Sequence, residues 1–375
     1  MKILIDARLY GLENAGLGRY LINLISSLQK IDKKNKYVII LRKKYFNELK
    51  FNNNFKKVLF DYGHYSFAEQ FKFPGVIRKE NPDLIHYPHF NVSVFCNKPF
   101  VVTIHDLLMH KQKGKEATTL PLPMYFIKRL FYKFVFGYAI NKSKSIIVPS
   151  NYVRNEIIRN YHIQKEKINI SYEGVSLNEE YKLDSEDFFN INKINFPYLL
   201  YVGNSYPHKN LKKAIEAVSS LQKEHKLNFV IVSARNVFFE RLNKFIKNNN
   251  YSDFVKVLNF TPDNQLSDLY RKSKGFLYPS LSEGFGLQGL EAMIQKTPCV
   301  VSDIEAFREI YEENAIYFDP KDVNSIKSAI DKLLNLTKDK REQITNKAYE
   351  FAKKYSWDKM AETILKIYED SASLR

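Results

Sequence analysis

Short apolar runs recur along the chain at Ile3-Leu4-Ile5, Tyr37–Leu41, Leu84-Ile85-His86, Phe100–Ile104, Ser145–Val148 and Ile168-Asn169-Ile170. A second series follows at Tyr198–Val202, Phe229–Val232, Val255–Phe260, Phe276-Leu277-Tyr278 and Cys299-Val300-Val301. Runs this short, without strict alternation, predict strands buried on both faces. Between them lie stretches with helical spacing of apolar positions, among them Leu21–Leu28, Val153–Tyr161, Leu211–Leu221 and Leu266–Lys272. From Asn324 the pattern is helical, ending in a helix over Lys359–Ser371. Strand and helix in alternation predict parallel α/β sheets. Residues 176–195 are polar, acidic and without period, and separate the two series as a connection.

One stretch carries the most chemistry: PSLSEGFGLQGLEAM, residues 279–293, between the Phe276 and Cys299 strands. Gly284 and Gly286 allow a tight path into the helix that Leu287, Leu290 and Met293 define. Unpaired amides and the positive end of the helix dipole favour an anion there, and a diphosphate fits without a metal. A carboxylate beside that anion would repel it. Glu283 and Glu291 are therefore expected to face hydroxyl groups on either side of the phosphates, as two sugars flanking a diphosphate would supply. Two solvated glutamates at an ordinary helix start are the plainer alternative, which the combination of glycines, Pro-Ser and paired Glu disfavours. Three other loops leave strands towards helices: Asn14–Tyr20 with Gly16 and Gly18, the His105-Asp106-Leu107 turn, and Gly203–Asn210 with Asn204 and Lys209. A cation at a helix start opposes the dipole unless an anion intervenes, so Lys209 points to the same phosphates.

Glu283 and Glu291, with seven residues between them inside PSLSEGFGLQGLEAM, closely resemble the donor motif of retaining GT-B glycosyltransferases of family 4. The resemblance implies an α/β GT-B fold, two Rossmann-like domains facing a central cleft. These are an acceptor-side domain over 1–180, a donor domain over 181–355, and a helix over 356–375 crossing back to the first. It places Glu283 on the donor hexose, Glu291 on the ribose, Lys209 on the phosphates and His105 near the sugar, with Glu283, His105 and Lys209 as the catalytic set. Donor binding is carried over to Gly16, Gly18, Gly203, Asn204, Lys209, Phe285, Gly286, Leu287 and Glu291. Asn204 replaces an Arg common in the family, for which His208 or Arg235 could compensate, and Gln288 replaces a common Pro. The implied reaction is retaining transfer of a hexose from a nucleotide sugar, GDP-mannose ahead of a UDP-sugar, to a glycan or lipid-linked acceptor in bacterial surface polysaccharide synthesis. No Asp-x-Asp triplet occurs, so neither metal nor other cofactor is expected. An epimerase or phosphorylase on the same scaffold is the alternative, and a basic membrane- or nucleic-acid-binding protein ranks below it.

Composition changes the picture in two places. The two cysteines, Cys96 and Cys299, lie in apolar contexts far apart, and the chain starts on a strand rather than a signal peptide. No apolar run reaches transmembrane length. A cytoplasmic protein is expected. The net charge of +17 is uneven: residues 1–180 hold 29 Lys and Arg against 15 Asp and Glu, residues 181–375 hold 29 against 26. No nucleic-acid motif accompanies that excess, so an anionic surface on the inner face of the membrane is the candidate partner, and nucleic acid is not expected. Residues 111–144 combine eight Lys and Arg and one acid with aromatic clusters. There Lys128, Arg129 and Lys133 interleave with Phe126, Phe131 and Phe134, a pattern that fits a core helix and a membrane-lying one equally.

Overall fold

A computed structural model describes residues 1–111, 121–176, 186–259 and 261–373. The expected domain boundary at 180/181 lies outside these residues, as does part of the polar connection, whose described remainder contains a short helix, Glu186–Ile191. The chain divides into two compact units. One holds Met1–Lys111, Leu120–Gly174 and Ser356–Arg375, the other Val175–Tyr355.

The first unit is built on β1 (Lys2–Asp6), β2 (Lys36–Leu41), β3 (Phe55–Leu59), β4 (Leu84–Tyr87), β5 (Phe100–Thr103), β6 (Ser145–Val148) and β7 (Ile168–Ile170). They form one all-parallel sheet in the order β3-β2-β1-β4-β5-β6-β7. The second has β8 (Tyr198–Val202), β9 (Asn228–Val232), β10 (Val255–Leu258), β11 (Gly275–Tyr278), β12 (Cys299–Ser302) and β13 (Ile316–Phe318). Their order is β10-β9-β8-β11-β12-β13, again parallel. Leu4, Ile5, Val101, Leu199, Leu200, Phe276 and Val300 have no exposed surface, because helices cover both faces of each sheet. Each sheet thus has a point where the chain, having wound outward one way, returns to wind the other: between β1 and β4, and between β8 and β11. Loops leaving the carboxyl ends of those pairs open the crevice in which such sheets bind ligands.

The apolar pattern missed β3 and β13. Phe55-Lys56-Lys57-Val58-Leu59 is an edge strand with Lys56 exposed, so it lacks the apolar run of a central strand. β13 has three residues. The helix Phe67–Glu80 was missed too: Pro74 interrupts it, and it stands on the cap formed by the Ser66 hydroxyl accepting from the Glu69 amide at 3.1 Å.

The final helix, Trp357–Ser373, packs within the first unit. His86 of β4, fully buried, is held between the Tyr368 hydroxyl (2.6 Å) and Thr103 Oγ1 (2.8 Å), and Tyr20 reaches the same threonine oxygen at 3.1 Å. Every polar atom in that chain has a partner, so its burial is tolerated. Burial pushes His86 down to about 3, with nearby His105 adding to it. Burial likewise takes His89 to about 3 and His64 to about 4. Unfolded, these rings titrate near 6.5, so between about pH 6.5 and 4 the unfolded chain binds more protons and stability falls as pH falls. Each such ring removes about 1.4 kcal/mol per pH unit over that window. The melting temperature is expected to drop steeply from pH 7 to pH 4.5; a flat profile would contradict this burial.

Candidate active site

In the second unit, the β8 and β11 loops meet at the switch point. Lys209 ends a single 3-10 turn, Pro207–Lys209, after the Gly203–Tyr206 loop. Its ammonium is in direct contact with Glu283 Oε1 and lies 5.6 Å from the centre of the Tyr278 ring. The two loops are tied by the Leu281 amide donating to the His208 carbonyl at 2.8 Å. The Glu283 carboxylate is buried. Burial raises its pKa, but Lys209 first and His208 second more than reverse this, and it lies below the ordinary glutamate range. A buried carboxylate thus stays ionised at the floor of the site, with one cation beside it.

Gly286 precedes the helix Leu287–Ile294 at φ +101°, and no side chain caps that helix start. A Cβ on Gly286 would come within 2.4 Å of the Tyr311 hydroxyl and 2.7 Å of Phe307. Tyr311 donates to the Gly286 carbonyl, so the loop is pinned from the core side. Phe285 packs against Tyr355 with ring centres 5.8 Å apart, and Leu287 is buried. Whatever these two offer a ligand comes from backbone. Glu291, over a turn further, is half-buried and accepts from the Tyr270 hydroxyl at 3.3 Å. Gln288 accepts from the Tyr278 hydroxyl at 2.8 Å.

Asn204 faces inward through its carbonyl, which accepts from the Tyr201 hydroxyl at 2.8 Å. Neither candidate stand-in for the missing arginine is a buried cation. Burial and then Lys209 push His208 down to about 4, so the ring is neutral at pH 7. Arg235 is exposed and donates to Asn259 Oδ1 at 3.0 Å.

In the first unit, His105 follows β5 with its ring fixed on both sides: Nδ1 lies 3.2 Å from Glu173 Oε1 and Nε2 3.1 Å from the Pro88 carbonyl oxygen. Tyr20 meets it edge-on at 4.8 Å. Asp106 caps the next turn instead, accepting from the Leu108 amide at 2.9 Å. The glycine loop differs from the sequence reading. The first helix runs Ala15–Ile31, so Gly16 and Gly18 sit inside its first turns. Gly16 has open space beside it, whereas a Cβ on Gly18 would strike the Gly11 carbonyl oxygen at 1.8 Å. Gly18 is therefore a packing glycine, and Gly16 is the position where backbone lies open.

Sequence reasoning missed the buried network at the β1/β4 switch point. Arg8, fully buried, donates to both Asp6 oxygens (2.7 and 2.6 Å) and contacts Glu69, whose two oxygens also accept from Asn91 at 2.9 Å. Asp6, His64 and Glu69 could hold a metal by ligand type, but the guanidinium already occupies the carboxylates. Above this network Asp6, Leu17, His64, Tyr87, His89 and Asn91 line a small crevice. The other candidate cluster among the described residues, Glu224, His225 and Asp331, lies at the opposite end of the Leu211–His225 helix from Lys209.

Comparison with known proteins agrees with this geometry. The family model for Glycosyltransferase Family 4 matches residues 15–179 and that for Glycosyl transferases group 1 matches 184–351. O-antigen chain mannosyltransferase RfbU of Salmonella typhimurium is 29% identical over 68% of this chain and 66% of its own. O-antigen chain mannosyltransferase B of Escherichia coli is 27% identical over 62% of each. The match thus spans just under two thirds of either relative's length. Among solved structures, sucrose-phosphate synthase from Thermosynechococcus elongatus superposes with a TM-score of 0.79 at 18% identity, covering 100% of this chain and 99% of that one, which establishes the shared fold. Two parallel-sheet Rossmann-like units, one family model on each and the Glu283/Glu291 motif across the loop and helix after β11 lead to one conclusion: the chain belongs to the group 1 glycosyltransferases of the GT-B fold.

Proposed function

We propose that the protein transfers a hexose, mannose from GDP-mannose in preference to a UDP-sugar, onto a glycan or lipid-linked acceptor of a surface polysaccharide, with retention and without a metal. The protein would work in the cytoplasm at the inner face of the membrane. The observation that carries this is the Lys209–Glu283 contact at the β8/β11 switch point, beside the uncapped start of the Leu287–Ile294 helix. When a donor enters, its diphosphate takes Lys209 and the helix amides as partners. Glu283, still ionised, is released to accept hydrogen bonds from the hexose hydroxyls. Glu291, oriented by Tyr270, accepts from the ribose. The bond from the anomeric carbon to the phosphate oxygen breaks while that carbon bonds the acceptor oxygen on the same face. The acceptor's proton passes to the leaving phosphate. Mannose as the sugar is supported by the two O-antigen mannosyltransferase relatives.

A screen of nucleotide sugars scored by nucleotide release tests the reading, with product analysis separating transfer from epimerisation or phosphorolysis. GDP-mannose is expected to give the highest turnover, unchanged in excess chelator, because Lys209 and backbone amides neutralise the phosphates. Loss of activity on chelation, restored by one divalent ion, would overturn the metal-free part.

A further inference from the structure

The helix Leu122–Lys142 is apolar on two faces. Tyr132, Phe136, Ala139 and Ile140 turn inward and are buried, with Phe90 packed on the two rings at 4.9 and 5.5 Å. Phe126, Ile127, Leu130, Phe131 and Phe134 lie on the other side, 52 to 71% exposed. At ~100° per residue these five cover an arc of about 140°, away from the buried set. A second exposed pair stands nearby in the fold. Phe71 of the Phe67–Glu80 helix and Phe95 of the β4–β5 loop stack with centres 5.4 Å apart, yet remain 68% and 58% exposed. The β4–β5 loop joins the two sets: Phe90 packs on the longer helix, while Gln70 beside Phe71 bonds the Val92 carbonyl and the Val94 amide, each at 3.0 Å. Lys128 lies 5.7 Å from the ring centre of exposed Tyr65, which in turn contacts Phe90. Exposed apolar surface on this scale marks a contact face.

The charge on this face identifies what it contacts. Neither the helix Leu122–Lys142 nor residues 88–98 contain a carboxylate. The two on the Phe67–Glu80 helix are buried: Glu69 on Arg8, Glu80 on Lys2 and Lys56. Lys72, Lys128 and Lys133 are exposed. A second copy set against this face about a two-fold axis would bring its cations together with no acid between them. We propose that this face seats the protein on an anionic lipid bilayer, with the rings in the headgroup boundary and the lysines on lipid phosphates. The β4–β5 loop that carries Phe95 outward also carries His89 and Asn91 into the crevice over Asp6, so a lipid-anchored acceptor would emerge beside that crevice. The inference rests on the lipid-linked acceptor reading for its purpose, and on exposure and charge for its evidence.

Vesicle flotation tests it in the full chain, with three proteins: the wild type, the double variant Phe71→Ser with Phe95→Ser, and the triple variant Lys128→Glu, Arg129→Glu, Lys133→Glu. The wild type is expected to float with phosphatidylglycerol vesicles at low salt and not with phosphatidylcholine. Each variant is expected to bind roughly tenfold more weakly or worse, with an unchanged melting curve and unchanged donor turnover on a soluble acceptor. Absence of wild-type flotation, or equal flotation by all three, overturns the proposal while leaving the transferase reading intact. A concentration-dependent dimer abolished by both variants, without flotation, would assign the face to a second copy and overturn it as well.

Discussion

Alanine at Glu283 is expected to lower kcat by about 10³-fold while the protein stays folded, because this carboxylate is the group set to meet the transferred hexose. The physical basis is the ionised state just described: burial raises the glutamate pKa, and Lys209 followed by His208 reverses it. Removing the carboxylate leaves Lys209 without its partner in a largely buried place, so Glu283→Gln, which keeps the volume and a hydrogen-bonding oxygen, is the companion variant. Glu291→Ala should behave differently. It loses a hydrogen bond expected on the ribose, which is made equally in ground and transition states, so KM for the donor rises about tenfold or more and kcat changes little. Steady-state kinetics beside melting curves separates the two. Near-normal turnover in Glu283→Ala would end the assignment of that residue to the reacting sugar.

The largest stability loss is expected at Arg8→Met. Asp6 is fully buried; burial raises its pKa, but the charge of Arg8 and its hydrogen bonds outweigh this and hold the carboxyl below its ordinary value. Methionine keeps the contact with Phe60 and Phe73, over which the guanidinium now lies at 5.3 and 4.9 Å, but strands two carboxylates in the interior. Breaking a buried pair in this way costs about 3–5 kcal/mol, which for a unit of this size is roughly 10 °C in melting temperature. The pH dependence carries the sign. Without Arg8 the folded-state Asp6 pKa lies above the unfolded one, so the penalty is full above it and shrinks as pH falls and the carboxyl binds a proton. The difference from wild type at equal pH should therefore narrow from pH 7 towards pH 4.5. A constant difference, or one within about 1 kcal/mol throughout, would mean that the carboxylates find other partners.

The central strands were legible because a strand covered on both faces must be apolar throughout, and the helix start at Leu287 because Gly286 precedes it and Leu287, Leu290 and Met293 carry helical spacing. Strands β3 and β13 were not, since an edge position relaxes that demand and three residues carry no period. The Arg8 network was invisible for a different reason: Asp6 and Arg8 are sequence neighbours but Glu69 and Asn91 come from distant elements, and only the sheet order brings them together. The same holds for His105, which the sequence placed at the end of β5 and for which only the fold supplied Glu173 as a partner.

The amino-acid sequence by itself determined the α/β class, the two-unit plan and the glycine-led helix start after β11, because periodicity and local helix-start chemistry are written in neighbouring positions. The tertiary structure alone decided that Lys209 and Glu283 pair across two loops, that His208 stays neutral, and which side of Leu122–Lys142 faces water. A helix that is apolar all round has no periodicity to show which side is covered. Burial is set by what packs against it, and here Phe90 covers one side and leaves the rings on the other in solvent.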